Sequence, residues 1–396
     1  MIEKAQRKIL IISFDVPYPD NYGGVKDVWQ TIKTLKGLGC EIDLVSFYRD
    51  ENRVMEFEQS SEYAFINRHF AFKQKKPSSF FSKLPMSMST RNISECESNA
   101  AGFPDDREYD VCIIEDVKCL EAFKMLSYYV KCKRTYLRLQ NIESNYYWEL
   151  FKIENNLFKA AFFFLESLRY RLFERSLWNN DLIDGFLFAS EREMKDKIFA
   201  LAKNKRLLRP ALPVKGVSDH ENRKNQILYV GNLDLPDNRM SVLRILEVLK
   251  PILSTKDADL VIAGKMSCED KRWLQSISRP SVIIRVNPSD EELRALYGTA
   301  KLFFNYSMNA SGVKMKLMEA LSYGIPVLSN KNGVDGSGME PYVISLERNS
   351  GKMLRDTISA IMKNRAFWKE MSDTSFSGAK KAINDAMNTY EEVVNK

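Results

Sequence analysis

An α/β protein with two parallel sheets, each covered on both faces by helices, is what this sequence predicts. Short β-branched or aromatic runs recur along the chain, and stretches of helical period separate several of them. The series then restarts after a proline- and charge-rich stretch at 210–225. Alternating strands and helices imply doubly wound, Rossmann-like halves, and 396 residues suit two domains of about 150–200 each.

Taken in order, the first series is KILIISF (8–14), EIDLVSF (41–47), DVCIIED (110–116), RTYLRLQ (134–140), DGFLFAS (184–190) and RLLRP (206–210). The clearest helix places Val25, Val28, Trp29, Ile32 and Leu35 three and four apart and stops at Gly37 and Gly39. Region 71–107 is rich in Ser, Lys and Pro with weak period, so a long loop is expected there. The second series is QILYVGN (226–232), DLVIAGK (259–265), VIIRV (282–286), LFFNYS (302–307) and PVLSN (326–330). Its helices are expected at 239–250, 290–299 and 313–323. The domains expected are 1–215 and 216–371, and ligands in such sheets bind beyond the carboxyl ends of the strands.

Composition narrows the partners. A net charge of +7 suits phosphates, nucleotides or acidic lipid headgroups. The start, MIEKAQRKILIISF, reads as a first strand rather than a signal peptide, and no apolar run is long enough to span a bilayer. The six cysteines form no Cys-x-x-Cys pair, and the two histidines, His69 and His220, supply zinc sites and His-based triads poorly. Reduced thiols and a cytoplasmic location are expected. No recognised module accompanies the charge, so nucleic acid is not an expected partner.

The most informative stretch is NASGVKMKLMEALSYGIPVLSN (309–330). Ser311 is positioned to cap a helix whose first turn carries Gly312, where a bare backbone lets a ligand approach. A helix N-terminus there suits a diphosphate. Lys316 and Glu319, three apart, share a face, so one can neutralise phosphate and the other accept from ribose hydroxyls. The same pattern also describes an exposed amphipathic helix with solvated Lys and Glu. GVDGSG (333–338) has the wrong glycine order for a dinucleotide fingerprint and is expected as a loop near the ligand.

This stretch, with YVGNLDLPDN (229–238), resembles the donor-binding half of family 4 and related retaining GT-B glycosyltransferases. The resemblance implies a GT-B fold, two Rossmann-like domains facing across a cleft, with a terminal helix (372–396) returning to the first. It also implies a nucleotide-diphosphate-sugar donor, UDP- or GDP-linked, and a glycan or lipid-linked acceptor. Lys316 would lie at the phosphates and Glu319 at the ribose, with Gly231, Asn232, Asn238, Ser311, Gly312, Val313 and Lys314 lining the donor site. Ser311 stands where many relatives carry Glu, and Asn232 and Asn238 where relatives carry Arg and Lys. Phosphate charge therefore falls to Lys314, Lys316 and the helix dipole, with no metal or other cofactor expected.

In the first half, PYPDNYGGVKDVW (17–29) sets Gly23 and Gly24 between strand and helix, resembling the family's glycine loop. RLQNIESNYYWEL (138–150) resembles a segment in which Asn141 and Glu143 match and Gln140 replaces a His, so no titratable group stands there. Asp116, ending the preceding strand, is the candidate acid for an acceptor hydroxyl. Lys316, Glu319, Asp116 and Gln140 are thus the candidate catalytic residues. The basic-aromatic stretch 158–178, with Arg169, Arg171 and Arg175, suggests peripheral contact with an anionic membrane face; a helix packing its aromatics inward would read alike. The alternatives within the resemblance are a non-catalytic GT-B binding protein and a GT-B nucleotide-sugar epimerase.

Overall fold

The computed structural model describes residues 6–77, 82–95, 97, 107–216, 219–267, 270–349 and 351–395. The chain divides into two compact units, Met1–Pro210 with Asp385–Lys396, and Ala211–Asn384.

The first unit carries β1 (Lys8–Ser13), β2 (Glu41–Tyr48), β3 (Arg68–Lys73), β4 (Arg107–Tyr109), β5 (Val111–Glu115), β6 (Val130–Cys132), β7 (Thr135–Leu139), β8 (Gly185–Phe188) and β9 (Lys205–Leu207). Seven form one sheet in the order β3-β2-β1-β5-β7-β8-β9, with every pairing parallel, while β4 and β6 pair separately. Ile9 to Ile12 and Val111 to Ile114 are fully buried, as parallel strands covered on both faces must be. From β1 the chain winds first toward β3 and then toward β9, so its switch point lies between β1 and β5.

The second unit carries β10 (Lys224–Val230), β11 (Asp259–Gly264), β12 (Val282–Val286), β13 (Ala300–Asn305), β14 (Val327–Ser329) and β15 (Ile344–Ser345). Their order is β12-β11-β10-β13-β14-β15, again parallel, with the switch point between β10 and β13. Successive strand residues enter opposite cores. Ile227, Tyr229, Ile262 and Phe304 pack with Val242, Ile245 and Ile358, whereas Leu228, Val261 and Phe303 pack with Leu317, Leu321 and Tyr297.

Three expectations about organisation are corrected. The stretch 71–107 opens inside β3, whose buried Phe70 and Phe72 sit between exposed charges, and it holds the short helix Met86–Ser89; residues 78–81, 96 and 98–106 of it lie outside the described residues. The boundary falls at Pro210 and Ala211 rather than 215, because Leu212 is in the second unit's core and the Lys215 N–H donates to the Ser322 carbonyl at 2.8 Å. The last helix is Arg365–Asn395, and only its end belongs to the first unit. Ser372 donates to the Gly324 carbonyl at 2.6 Å, and Ala379 and Ala382 fill the second core. Beyond Asp385, Tyr390 and Thr31 hydroxyls meet at 2.7 Å, and Arg134 donates to the Val394 carbonyl at 3.2 Å.

Candidate active site

In the second unit the loop after β13 is held by asparagines. The Asn330 side chain, just past β14, accepts from the Ser307 N–H at 3.0 Å and donates to the Ser307 carbonyl at 2.8 Å. Asn332 donates to the Met308 carbonyl at 2.9 Å, and Asn309 accepts from the Ser311 N–H at 2.7 Å. Gly312 then turns the chain at φ 65°, a conformation that disfavours side chains. The helix Met315–Ser322 follows, and Gly324 ends it at φ 60°. Here the expected cap is corrected. Lys314, not Ser311, holds the N-cap position, with no side-chain cap, and Gly312 precedes the first turn. The turn at Gly312 spends residues before the helix can start, leaving the Ser311 hydroxyl buried with no hydrogen-bond partner among the described residues. Val313 packs against the core beneath.

Lys316 lies in the first turn of that helix, half-buried, with its ammonium 4.5 Å from the centre of the Tyr229 ring. Its Nζ is 3.4 Å from both the Tyr229 hydroxyl and the Tyr306 carbonyl. Burial pushes its pKa down to about 7, with the Lys314 charge adding to the effect and Asp237 opposing it. Tyr229 is fixed in turn, because its hydroxyl donates to the Asn238 side chain at 3.1 Å. Asn238 donates to the Asn232 carbonyl at 2.9 Å, and the Asn232 side chain accepts from the Asp234 N–H at 3.0 Å. Asn232 and Asn238 therefore knot the turn between β10 and the helix Pro236–Thr255 beneath Lys316. Gly231 is required by packing, since a Cβ on it would come within 2.9 Å of the Tyr229 hydroxyl.

Two lysines thus stand together at a helix N-terminus, beyond the carboxyl ends of β10 and β13. That is where an anion binds in a doubly wound sheet. The Lys314 ammonium donates to the Ser311 carbonyl at 2.5 Å, within its own loop. Glu319 lies one turn along, half-buried. Burial first and the Glu319 charge second raise the pKa values of Tyr297 and Tyr323, which places that carboxylate beside two stacked rings. In 333–338, Gly333 lies inside the short helix Lys331–Val334, its N–H donating to the capping Asn330 side chain, and Gly336 and Gly338 turn at φ 74°. The chain's Asp-x-Asp, Asp257 to Asp259, stands at the amino end of β11, away from this loop, and Asp257 pairs with Lys363 at 2.7 Å.

In the first unit Gly23 and Gly24 lie in the first turn of the helix Gly23–Gly37 rather than in an open loop. A Cβ on Gly24 would stand 2.9 Å from the Phe14 ring and 3.2 Å from Gln140 Oε1. Gln140 donates to the Gly24 carbonyl at 3.2 Å, so strand ends and helix start are packed together. Asp116 is a correction to the idea of an available acid. It is buried at φ 81°, caps the next turn through the Lys118 N–H at 3.0 Å, and meets Lys118 Nζ at 2.9 Å. Lys118 Nζ also meets Glu143 at 2.7 Å. Burial opposes the Lys118 charge, but Asp116 and Glu143 outweigh it and hold its pKa well above the usual value. Asn141 is half-buried beside them in sequence.

Sequence reasoning missed Lys118 and a second buried cluster. Arg138 Nη1 reaches Asp27 at 2.8 Å and Glu115 at 3.0 Å, tying β7, β5 and the first helix together. A charged residue inside an apolar strand run was the available signal. Tyr229 was the other omission, readable only as core until its hydroxyl is seen under Lys316.

Residues 224–364 match the family model for glycosyl transferases group 1. Over 384 residues the chain is 27% identical to an uncharacterized 44.6 kDa protein in the cps region of Klebsiella pneumoniae, covering 93% of this chain and 95% of that one. Sucrose-phosphate synthase from Thermosynechococcus elongatus superposes with a TM-score of 0.69 at 13% identity over 98% of both chains. TarM superposes at 0.67 and 12% identity, over 98% of this chain and 99% of that one. Anabaena Alr3699/HepE, in complex with UDP and glucose, gives 0.62 at 12% identity over 98% and 99%. The fold is GT-B.

Proposed function

We propose, starting from a GT-B chain that carries a glycosyl transferases group 1 domain, that this glycosyltransferase draws on a UDP- or GDP-sugar. It moves a hexose or N-acetylhexosamine to a hydroxyl of a glycan or lipid-linked acceptor, with retention, in bacterial surface polysaccharide or glycoconjugate synthesis. One observation carries the reading: Lys316 sits on Tyr229 at the β10/β13 switch point, in the first turn of a helix, with a second lysine beside it. The neighbouring protein Alr3699/HepE, solved with UDP and glucose, and the cps-region relative support it.

In the reaction the bond from the sugar's anomeric carbon to the diphosphate breaks as a bond to the acceptor oxygen forms. The acceptor proton passes to the leaving diphosphate. Charge grows on that diphosphate, and preorganised N–H groups with Lys316 stabilise it. Glu319 accepts from the ribose hydroxyls. No side-chain base is required, which suits a Gln at 140 and an Asp116 already paired with Lys118. Cationic side chains take the place of a metal.

A panel of UDP- and GDP-sugars, read by thermal shift and by hydrolysis with EDTA present, tests this. One nucleotide series should stabilise the protein and be hydrolysed. No shift with any donor would overturn the reading, and activity lost to EDTA and restored by manganese would overturn its metal-free form. Ser311 in place of an acid and Gln140 in place of a His favour a second reading, a non-catalytic GT-B binding protein. That protein would show the shift and no turnover.

A further inference from the structure

The helix Leu157–Ser176 is built inside out. Its buried residues are mostly polar, Glu166, Ser167, Tyr170 and Glu174 among them. Each is tied to the body of the first unit: Glu166 accepts from the Met86 N–H at 2.8 Å, and Ser167 donates to the Ser144 carbonyl at 2.8 Å. Tyr170 meets Ser87, and Glu174 accepts from the Ser144 hydroxyl at 2.5 Å and the Glu143 N–H at 2.7 Å. The opposite face, spaced four, three, four and four, is Leu157, Ala161, Phe164, Leu168 and Leu172, all exposed. Leu157 is 84% exposed, Phe158 90% and Leu172 72%. The helix Glu143–Ile153 packs beside it through Tyr147 stacked on Tyr170 and Phe151 tilted against Phe164, and adds exposed Trp148 and Ile153.

Seven of the fifteen large hydrophobics exposed among the described residues fall on this one hairpin, 143–176. Scattered apolar residues need no explanation, but a contiguous patch of this kind marks a surface that something covers. Lys152, Lys159, Arg171 and Arg175 are exposed around it. Glu149 pairs with Lys152 at 2.8 Å, and the Glu154 carboxylate, just past the end of the first helix, accepts from the Asn156 N–H at 2.9 Å. Arg169 is a correction to the sequence expectation, since it turns inward to Glu166 at 2.6 Å and does not join the exposed cations.

We propose that the hairpin 143–176 docks on the surface of an anionic lipid bilayer, with Leu157 and Phe158 entering the acyl boundary and the cations at the headgroups. An amphipathic helix in this setting lies in the interface plane, its apolar face sunk about 5–10 Å. Charge selects this occupant over a second copy of the chain. Pairing two such patches would set Lys159, Arg171 and Arg175 against their own kind, whereas anionic headgroups satisfy them. Membrane docking is read without sugar turnover, so it stands or falls apart from the proposed reaction.

The test is co-sedimentation of the full chain with vesicles of phosphatidylcholine alone or mixed with phosphatidylglycerol, at low and high salt. The chain should pellet with the mixed vesicles, less at high salt but not fully released. Leu157→Ser with Phe158→Ser should lower partitioning about tenfold or more, given how much apolar surface each buries. Its thermal midpoint should stay that of the parent, because both side chains are exposed. Arg171→Glu with Arg175→Glu should remove mainly the salt-sensitive part. Two results would overturn the proposal: a parent chain left in the supernatant with both vesicle types, or a serine variant that binds like the parent. A dimer seen by sedimentation and lost in the serine variant, with no vesicle binding, would assign the face to a second copy instead.

Discussion

Lys316 is poised between two protonation states because its ammonium has lost water and Lys314 repels it, and the Asp237 charge only partly offsets both. On the proposed reading, a diphosphate bound there would restore the charge. Lys316→Ala and Glu319→Ala should therefore each weaken nucleotide-sugar binding by about 1.5–3 kcal/mol, read by calorimetric titration. Unchanged affinity in both would move the donor elsewhere. The same physics sets a pH dependence. With the group near pKa 7 when empty and higher when an anion sits on it, binding above neutrality takes up a proton, so affinity falls as pH rises past about 7. Titrations at pH 8 in buffers of different ionisation enthalpy should reveal the uptake in the parent and none in Lys316→Met. In the empty protein the lowered pKa makes stability rise with pH between about 7 and the usual 10.5.

The helix Leu157–Ser176 is attached by aromatic contacts to Tyr147 and Phe151 as well as by buried polar groups. Glu174 is the clearest of them: burial pushes its pKa up to about 8, against the lowering effect of the Ser144 hydroxyl and nearby N–H groups. A carboxyl whose folded pKa is raised contributes stability that is complete below its usual value of 4.5 and is lost as pH rises through about 8. Thermal midpoints should thus decline over that window. Glu174→Gln, which keeps the shape of a neutral acid, should flatten part of the decline, and an unchanged slope would show that Glu174 is ionised throughout. The loop after β13 is the other element set by polar groups, since its asparagine bonds hold the approach to Lys316 without a ligand.

At the scale of the whole molecule the last helix is shared between the two units. Ala386, Tyr390, Val393 and Val394 are all buried, at 5% exposure or less. Burying each large apolar side chain is worth about 1.5–3 kcal/mol, and a domain's net stability is only about 5–15 kcal/mol. Removing residues 385–396 should therefore lower the first unit's thermal transition sharply or abolish it. Calorimetry on the full and shortened chains would show this. A shortened chain with an unchanged transition would make the end of the helix dispensable.

The doubly wound halves, the strand runs near 8–14, 41–47, 226–232 and 282–286, and the Lys316–Glu319 helix were legible in the sequence, because buried parallel strands and amphipathic helices impose local periods. So was the first unit's helix from Val25 to Leu35, read from spacing alone. The missing strand β3 was not, since two aromatics between charges make too short an alternation, and β15 is shorter still. What only the tertiary structure decided were partnerships between residues far apart in the chain. Lys118 joining Asp116 to Glu143, Tyr229 beneath Lys316 and the Gly24 contact with Gln140 are of this kind, as is the direction in which the helix Leu157–Ser176 faces. Period locates a stripe on a helix. Which stripe turns inward depends on the hydrogen-bond partners waiting for it, and here Met86, Ser87 and Ser144 draw in the polar side.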